Sequence, residues 1–206
     1  FEPCPVADDR VVPHFPELDR VLAHIEAARA GGPGLAVAIV GERGCGKTTW
    51  LMALRERLGE AAPPRVRVSP RHVTEASACS VLSEVVQVQP AMTRSEPIAE
   101  MARDQEPRVF VLDGCQNFVL RAVGGHAGYE AFAEVVSRTI RHHVWVCAFS
   151  RYAWAYLQHV YPKQNVFTLV VDLDAWPEDR IRALIEHRMA LAQVTPSYED
   201  LVLAPS

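Results

Sequence analysis

The residues best equipped for chemistry lie in one short run, Gly41-Glu42-Arg43-Gly44-Cys45-Gly46-Lys47-Thr48, followed by Thr49. Glycines, a lysine and hydroxyls at this spacing suit the gripping of a polyphosphate. A triphosphate packs several negative charges into a small volume. Backbone N–H groups wrap it where glycine reaches torsions that other residues avoid. Gly41, Gly44 and Gly46 are expected to supply that freedom. Lys47 is predicted to reach the β- and γ-phosphates, the Thr48 hydroxyl to ligate Mg²⁺, and Thr49 to lie beside the α-phosphate. The run fits G-x-x-x-x-G-K-[ST] without a gap.

The flanking residues must position this loop. Leu35–Val40 are apolar throughout and read as a short buried strand. Trp50, Leu51, Met52 and Leu54 continue into a helix ending near Gly59, its positive end aimed at the phosphates. Strand, glycine loop and helix in that order make the run a P-loop. A second piece is Arg108-Val-Phe-Val-Leu-Asp113, an apolar strand ending in an acid. Beside the P-loop strand this is the Walker B arrangement, and Asp113 is predicted to hold Mg²⁺ through water. An aspartate that caps a turn is the alternative.

Elsewhere the chain alternates strand and helix patterns. A proline-marked arm spans 1–16. A helix with Leu18, Val21, Leu22, Ile25 and Ala28 inward follows and closes at Gly31–Gly34. After Pro63-Pro64, Arg65–Val68 alternates like an edge strand with one wet face. Helices are predicted over 74–88, from Ser95 or Pro97 to Arg103, over 127–142 and over 151–161. Strands are predicted over 144–150 and 165–173. Pro177 opens a last helix with Ile181, Leu184, Ile185 and Met189 inward. The alternation implies an α/β fold with a mainly parallel sheet. The expected organisation is an arm over 1–16, a nucleotide-binding αβα domain over 17–174, and the start of a helical lid over 175–206. A chain opening on Phe1 is read as a piece of a larger protein.

The 206 residues are 49% hydrophobic with a net charge of −4, which provides a core and argues against a general polyanion-binding surface. The cysteines are odd in number (Cys4, Cys45, Cys79, Cys115, Cys147) and none pair at C-x-x-C spacing. That pattern implies free thiols in a reducing, cytoplasmic compartment. Neither a membrane span nor a secretory signal is visible.

The order of an N-terminal helix, GERGCGKTT, a β-α unit, VFVLD and a strand ending in Ser150 resembles the AAA+ and STAND branch of P-loop ATPases. The segment Leu173–Arg188 is similar to the start of the lid in origin-recognition-like and STAND members. The resemblance implies a three-layer αβα fold with sheet order 5-1-4-3-2, ATP/ADP and Mg²⁺ as ligands, and Lys47, Asp113 and Ser150 as catalytic groups. Ser150 would be the sensor-1 position that feels the γ-phosphate; an ordinary strand-end hydroxyl is the other reading. Val11–Pro13 and the lid helix would lie near the adenine. Arg151 would approach phosphate or cap the next helix.

One departure bears on rate. Many relatives place Glu or a second Asp after the Walker B aspartate, but here Gly114 follows Asp113. Glycine orients no water, so Gln116, Asn117 and His126 are the candidate substitutes. No arginine finger is assigned: Arg121, Arg138 and Arg188 are arginines near plausible faces, the first two also read as solvated and Arg188 as a lid residue that contacts nucleotide, and a neighbouring subunit of a homo-oligomer is another source. Trp145, Trp154 and Trp176 read as core anchors. Cys45 is a small tolerated residue or an oxidation-sensitive one. His142-His143 end a helix.

The reading that follows is an ATP-binding, Mg²⁺-dependent switch with slow intrinsic hydrolysis, read out by other domains of the same protein. ATP is preferred because no N-K-x-D guanine motif occurs. A small-molecule kinase and a binding module without hydrolysis are the alternatives. DNA is allowed by the resemblance and unsupported by the charge.

Overall fold

The computed structural model describes residues 15–59, 62–70, 72–90, 93–119, 125–162 and 165–191. The arm as far as His14, Arg121 and the tail from Thr195 lie outside the described residues. The chain divides into a unit over 15–174 and a second that contains the last helix.

In the first unit the order is α1 (Pro16–Arg29), β1 (Leu35–Gly41), α2 (Lys47–Leu58), β2 (Arg65–Arg67), α3 (Glu75–Val86), α4 (Ser95–Met101), β3 (Val109–Asp113), a 3-10 turn (Cys115–Phe118), α5 (Ala127–Thr139), β4 (Val144–Ser150), α6 (Arg151–Val160) and β5 (Leu169–Leu173). The strands form one sheet ordered β2-β3-β4-β1-β5, every neighbouring pair parallel. This is the expected order read from the other edge. Ala36–Val40, Phe110–Leu112 and Val144–Phe149 are buried on both faces, as interior parallel strands require.

Alternating side chains feed two cores. On one face Ala38, Phe110, Leu112, Trp145 and Phe149 pack against Leu82 and Val85 of α3, Phe132 and Val136 of α5, and Leu157 of α6. α1 and α2 contact β1 as well, with Ile25, Leu51 and Leu54 fully buried. Trp145 is a core anchor as expected and donates its indole N–H to Thr139 Oγ1 at 3.0 Å. Trp154 is partly buried against Phe149 and Phe167, and Trp176 is half-buried.

Local hydrogen bonds set several boundaries. Thr74 and Ser77 form a reciprocal capping box that starts α3. α5 stops at Thr139 rather than 142, and beyond it His142 and His143 both donate their N–H to the Thr139 carbonyl and close the last turn. The expected strand over 165–173 is regular only from Leu169, just after the Thr168 N–H donates to the Ala36 carbonyl. Asn165 Oδ1 accepts the Phe167 N–H at 3.1 Å, a local bond that competes with the sheet ladder.

The last helix, α7 (Glu178–Leu191), begins one residue after Pro177. Along it Leu184, Ile185 and Met189 are half-buried, whereas Ile181, expected inward, is 43% exposed.

Candidate functional site

β1 ends at Gly41, and the chain turns through Glu42, Arg43 and Gly44 before entering α2 at Lys47. Gly44 and Gly46 are left-handed, at φ +87° and +95°, which glycine adopts without strain. Gly41 is not. Its role differs from the expected torsional one: a Cβ there would strike Cys45 Sγ and lie 2.8 Å from the Leu173 carbonyl. Gly41 is therefore a packing glycine where the loop meets β5. Glu42 and Arg43 are exposed, and Thr49 is half-buried in the first turn of α2. Cys45 is buried, with Lys47 Nζ at 3.7 Å from its sulfur. Lys47 curls back over the loop and donates to the carbonyls of Gly41, at 2.9 Å, and Glu42. The ammonium is thus stationed inside the loop.

Asp113 ends β3 and is nearly buried. Thr48 Oγ1 donates to its Oδ2 at 2.9 Å, joining the loop helix to the end of β3. The two predicted metal-site residues therefore meet across 65 positions of sequence. A third residue joins them. Arg65 Nη1 donates to the same Oδ2 at 2.8 Å. Sequence reasoning placed Arg65 only on an edge strand with a wet face. Its alternation with Val66 and Arg67 was the available signal, because it turns both arginines to one face.

Gly114, the departure from the acidic pattern, is itself left-handed at φ +83°. A Cβ there would lie 3.1 Å from the Val68 carbonyl, which is held at 2.7 Å by Asn117 Nδ2. The backbone turns at Gly114 into the 3-10 segment, with Asn117 N–H donating to the Gly114 carbonyl. Below it Cys115 is fully buried beside Cys147. Burial, reinforced by that neighbour, pushes the Cys115 thiol well up, so it is a neutral filler.

Ser150 lies level with Gly41 in the β1–β4 register, at the tip of the adjacent strand. Its Oγ caps α6, accepting the Ala153 N–H at 3.4 Å. Gln116 reaches across from the end of β3, its Oε1 accepting the Ser150 N–H at 3.2 Å. Among the candidate water-orienting residues Gln116 alone is tied to Ser150. Asn117 serves the β2 exit, and His126 is bonded to Tyr156 and Tyr161 through its two ring nitrogens.

Arg151 turns to the end of β5, where it meets the carboxylates of Asp172, at 2.6 Å, and Asp174 and the Leu173 carbonyl. Arg138 pairs with Glu134 on its own helix and is 64% exposed. The side chain of Arg188 lies outside the described residues. His143 is buried, its Nδ1 accepting the Arg108 N–H and its Nε2 donating to the Met101 carbonyl. Cys45, Cys79, Cys115 and Cys147 are all buried.

A hydroxyl oxygen and a carboxylate oxygen that already touch, beside a loop rich in N–H groups, form a donor set suited to a hard divalent cation such as Mg²⁺. Among the described residues no group of three or more His, Cys, Asp or Glu side chains stands ready to hold a metal by itself. Among the described residues no helix is long and apolar enough to cross a membrane.

No protein-family model matches the chain. No curated protein matches its sequence. Solved structures do. The ORC1 protein of Aeropyrum pernix, in a complex with DNA, superposes with a TM-score of 0.64 at 18% identity, over 87% of this chain and 51% of that one. The ORC2 protein of the same organism, in ADPNP–ADP complexes, gives 0.63 at 16% identity, over 93% and 55%. Cdc6p of Pyrobaculum aerophilum gives 0.61 at 14% identity, over 91% and 55%. The chain spans about half the length of these proteins. At such identities the likeness concerns fold alone, and with the β2-β3-β4-β1-β5 sheet it shows that the chain shares the P-loop AAA+ fold of these proteins.

Proposed function

We propose that this chain is an ATP- and ADP-binding, Mg²⁺-dependent P-loop ATPase domain that acts as a nucleotide-controlled switch with slow intrinsic hydrolysis, within a larger protein. The observation that carries the reading is the meeting of Thr48 and Asp113 next to a loop in which Lys47 is already stationed. In this reading the N–H groups of residues 41–49 wrap the phosphates. Lys47 releases its carbonyl partners and turns to the β- and γ-oxygens. Thr48 and Asp113 would hold Mg²⁺, which when bound would neutralise phosphate charge.

Hydrolysis is slow because the position after Asp113 carries no acid. Gln116, tied to the backbone of Ser150, is the group in place to orient a water, as an amide does in small GTPases. Ser150 keeps its hydroxyl proton for the γ-phosphate while its oxygen caps α6. A nucleotide-binding module without hydrolysis is the second reading, and the left-handed backbone of Gly114 favours it. The lid helix α7 and the remaining domains would read the bound state. A cytoplasmic setting suits the buried thiols of Cys79, Cys115 and Cys147. Contact with DNA, as in the ORC1 complex, draws no support from a net charge of −4.

Titration calorimetry with ATP, ADP and GTP in magnesium tests the reading, with single-turnover hydrolysis alongside. Adenine nucleotides are expected to bind and GTP to bind more weakly, with turnover far below that of motor ATPases. Absence of binding by either adenine nucleotide overturns the reading; binding with no turnover selects the second.

A further inference from the structure

We propose that Arg65 is a built-in counter-cation for Asp113 that sets how strongly nucleotide binding depends on Mg²⁺. The proposal rests on the phosphate-site reading above and adds to it a residue that no P-loop motif contains.

Strand pairing brings Arg65 to the site. In the parallel β2–β3 ladder Arg65 lies opposite Val111 and Arg67 opposite Asp113. Alternation sends Val66 into the core and both arginines to the other face. Arg65 is set back along the ladder from Asp113, and its long side chain runs up the strand to the carboxylate. Its Nη1 lies 2.8 Å from Oδ2, the oxygen that also accepts from Thr48. The side chains are 29% and 12% exposed, so water screens this pair less than it does a surface one.

A carboxylate facing a guanidinium at this range has its charge largely answered. A divalent cation must then compete with Arg65 for Asp113 or accept a partly neutralised ligand. Either way Arg65 weakens the cation's grip at this acid and lets nucleotide bind with less help from Mg²⁺. A plain staple between β2 and β3 would act differently: its loss would change nucleotide affinity equally with and without the metal.

The experiment measures ADP affinity by calorimetry in magnesium and in EDTA, for wild type, Arg65→Met and Arg65→Lys, with thermal melts confirming the fold. The readout is the ratio of the EDTA to the magnesium dissociation constant. In Arg65→Met it is expected to rise on the order of tenfold, within the range of coupled sites, and in Arg65→Lys to stay near wild type. Should Arg65→Met not fold, Arg65→Gln makes the same comparison without the charge. An unchanged ratio in a folded uncharged variant, with wild type binding ADP normally, overturns the proposal. Failure of wild type to bind ADP in either buffer instead overturns the phosphate-site reading and takes this proposal with it.

Discussion

A side chain at position 114 tests whether glycine is there because the backbone demands it. Gly114 has φ +83°, and a non-glycine residue in the left-handed region costs about 1–2 kcal/mol. The new Cβ would also press on the Val68 carbonyl at 3.1 Å. That oxygen has little room to move, because Asn117 Nδ2 holds it at 2.7 Å and the Val68 N–H is bound to the Asp113 carbonyl at 2.8 Å. Against this, alanine restricts the unfolded chain and returns about 0.4–1 kcal/mol. The strain and the contact together exceed that return. Gly114→Ala is expected to destabilise by about 1–2 kcal/mol, a fall of roughly 2–8 °C in Tm for a unit of this size. Gly114→Glu restores the acid many AAA+ ATPases carry and is expected to lose at least as much stability. It is also expected to gain no more than a few-fold in turnover, because the strain falls on the turn that carries Asp113. Circular-dichroism melts and single-turnover hydrolysis measure both. An alanine variant that melts at or above wild type, or a glutamate variant accelerated about 100-fold, worth some 2.7 kcal/mol of barrier, would refute the backbone argument.

Other substitutions separate binding from folding. Lys47→Ala removes charged hydrogen bonds to phosphate worth about 1.5–3 kcal/mol, so ADP affinity in calorimetry is expected to fall roughly 10- to 100-fold while the melt moves little. Burial holds the His143 imidazole below its usual value of 6.5. The unfolded chain then binds the extra proton first, so stability is lost as pH drops below about 6.5 toward the lowered native value, with no contribution above it. Burial likewise lowers His72, which adds to the same window. Urea midpoints across this range are expected to show a shallower fall in His143→Gln than in wild type. Arg94 donates to Glu75 and to Glu134, tying α4 to α3 and α5, and its hydrogen bonds hold both carboxyls below their usual 4.5. These groups are a third exposed, so Arg94→Met is expected to cost only about 1 kcal/mol at neutral pH. The contribution is present above about pH 4.5 and lost below it, so the acid arm of the urea profile is expected to flatten in the variant.

Chemistry written into consecutive residues was legible before any coordinates. The loop from Gly41 to Thr49, the apolar run into Asp113 and the hydroxyl closing β4 each depend on residues a few positions apart, and each stands where the pattern put it. What escaped notice depends on which strands become neighbours. Arg65 reaches Asp113 only because β2 pairs with β3 in one register, and a slip by one residue would send it into the core in place of Val66. Gly41 looked like a torsional glycine because its neighbours Gly44 and Gly46 are ones. Its true constraint is Cys45 and the Leu173 carbonyl, which a late strand brings back to the loop. Gly114 looked like a missing acid, and in the fold it is a left-handed hinge between β3 and the 3-10 turn. In all three cases the residue type was plain and the contact that explains it involves a segment distant in sequence. Motif reading therefore locates the glycine loop and the acid that meets Thr48, while the charge around that acid is decided by the sheet edge beside it. Two chains with identical loops need not depend equally on magnesium, and at Arg65 that difference is open to measurement.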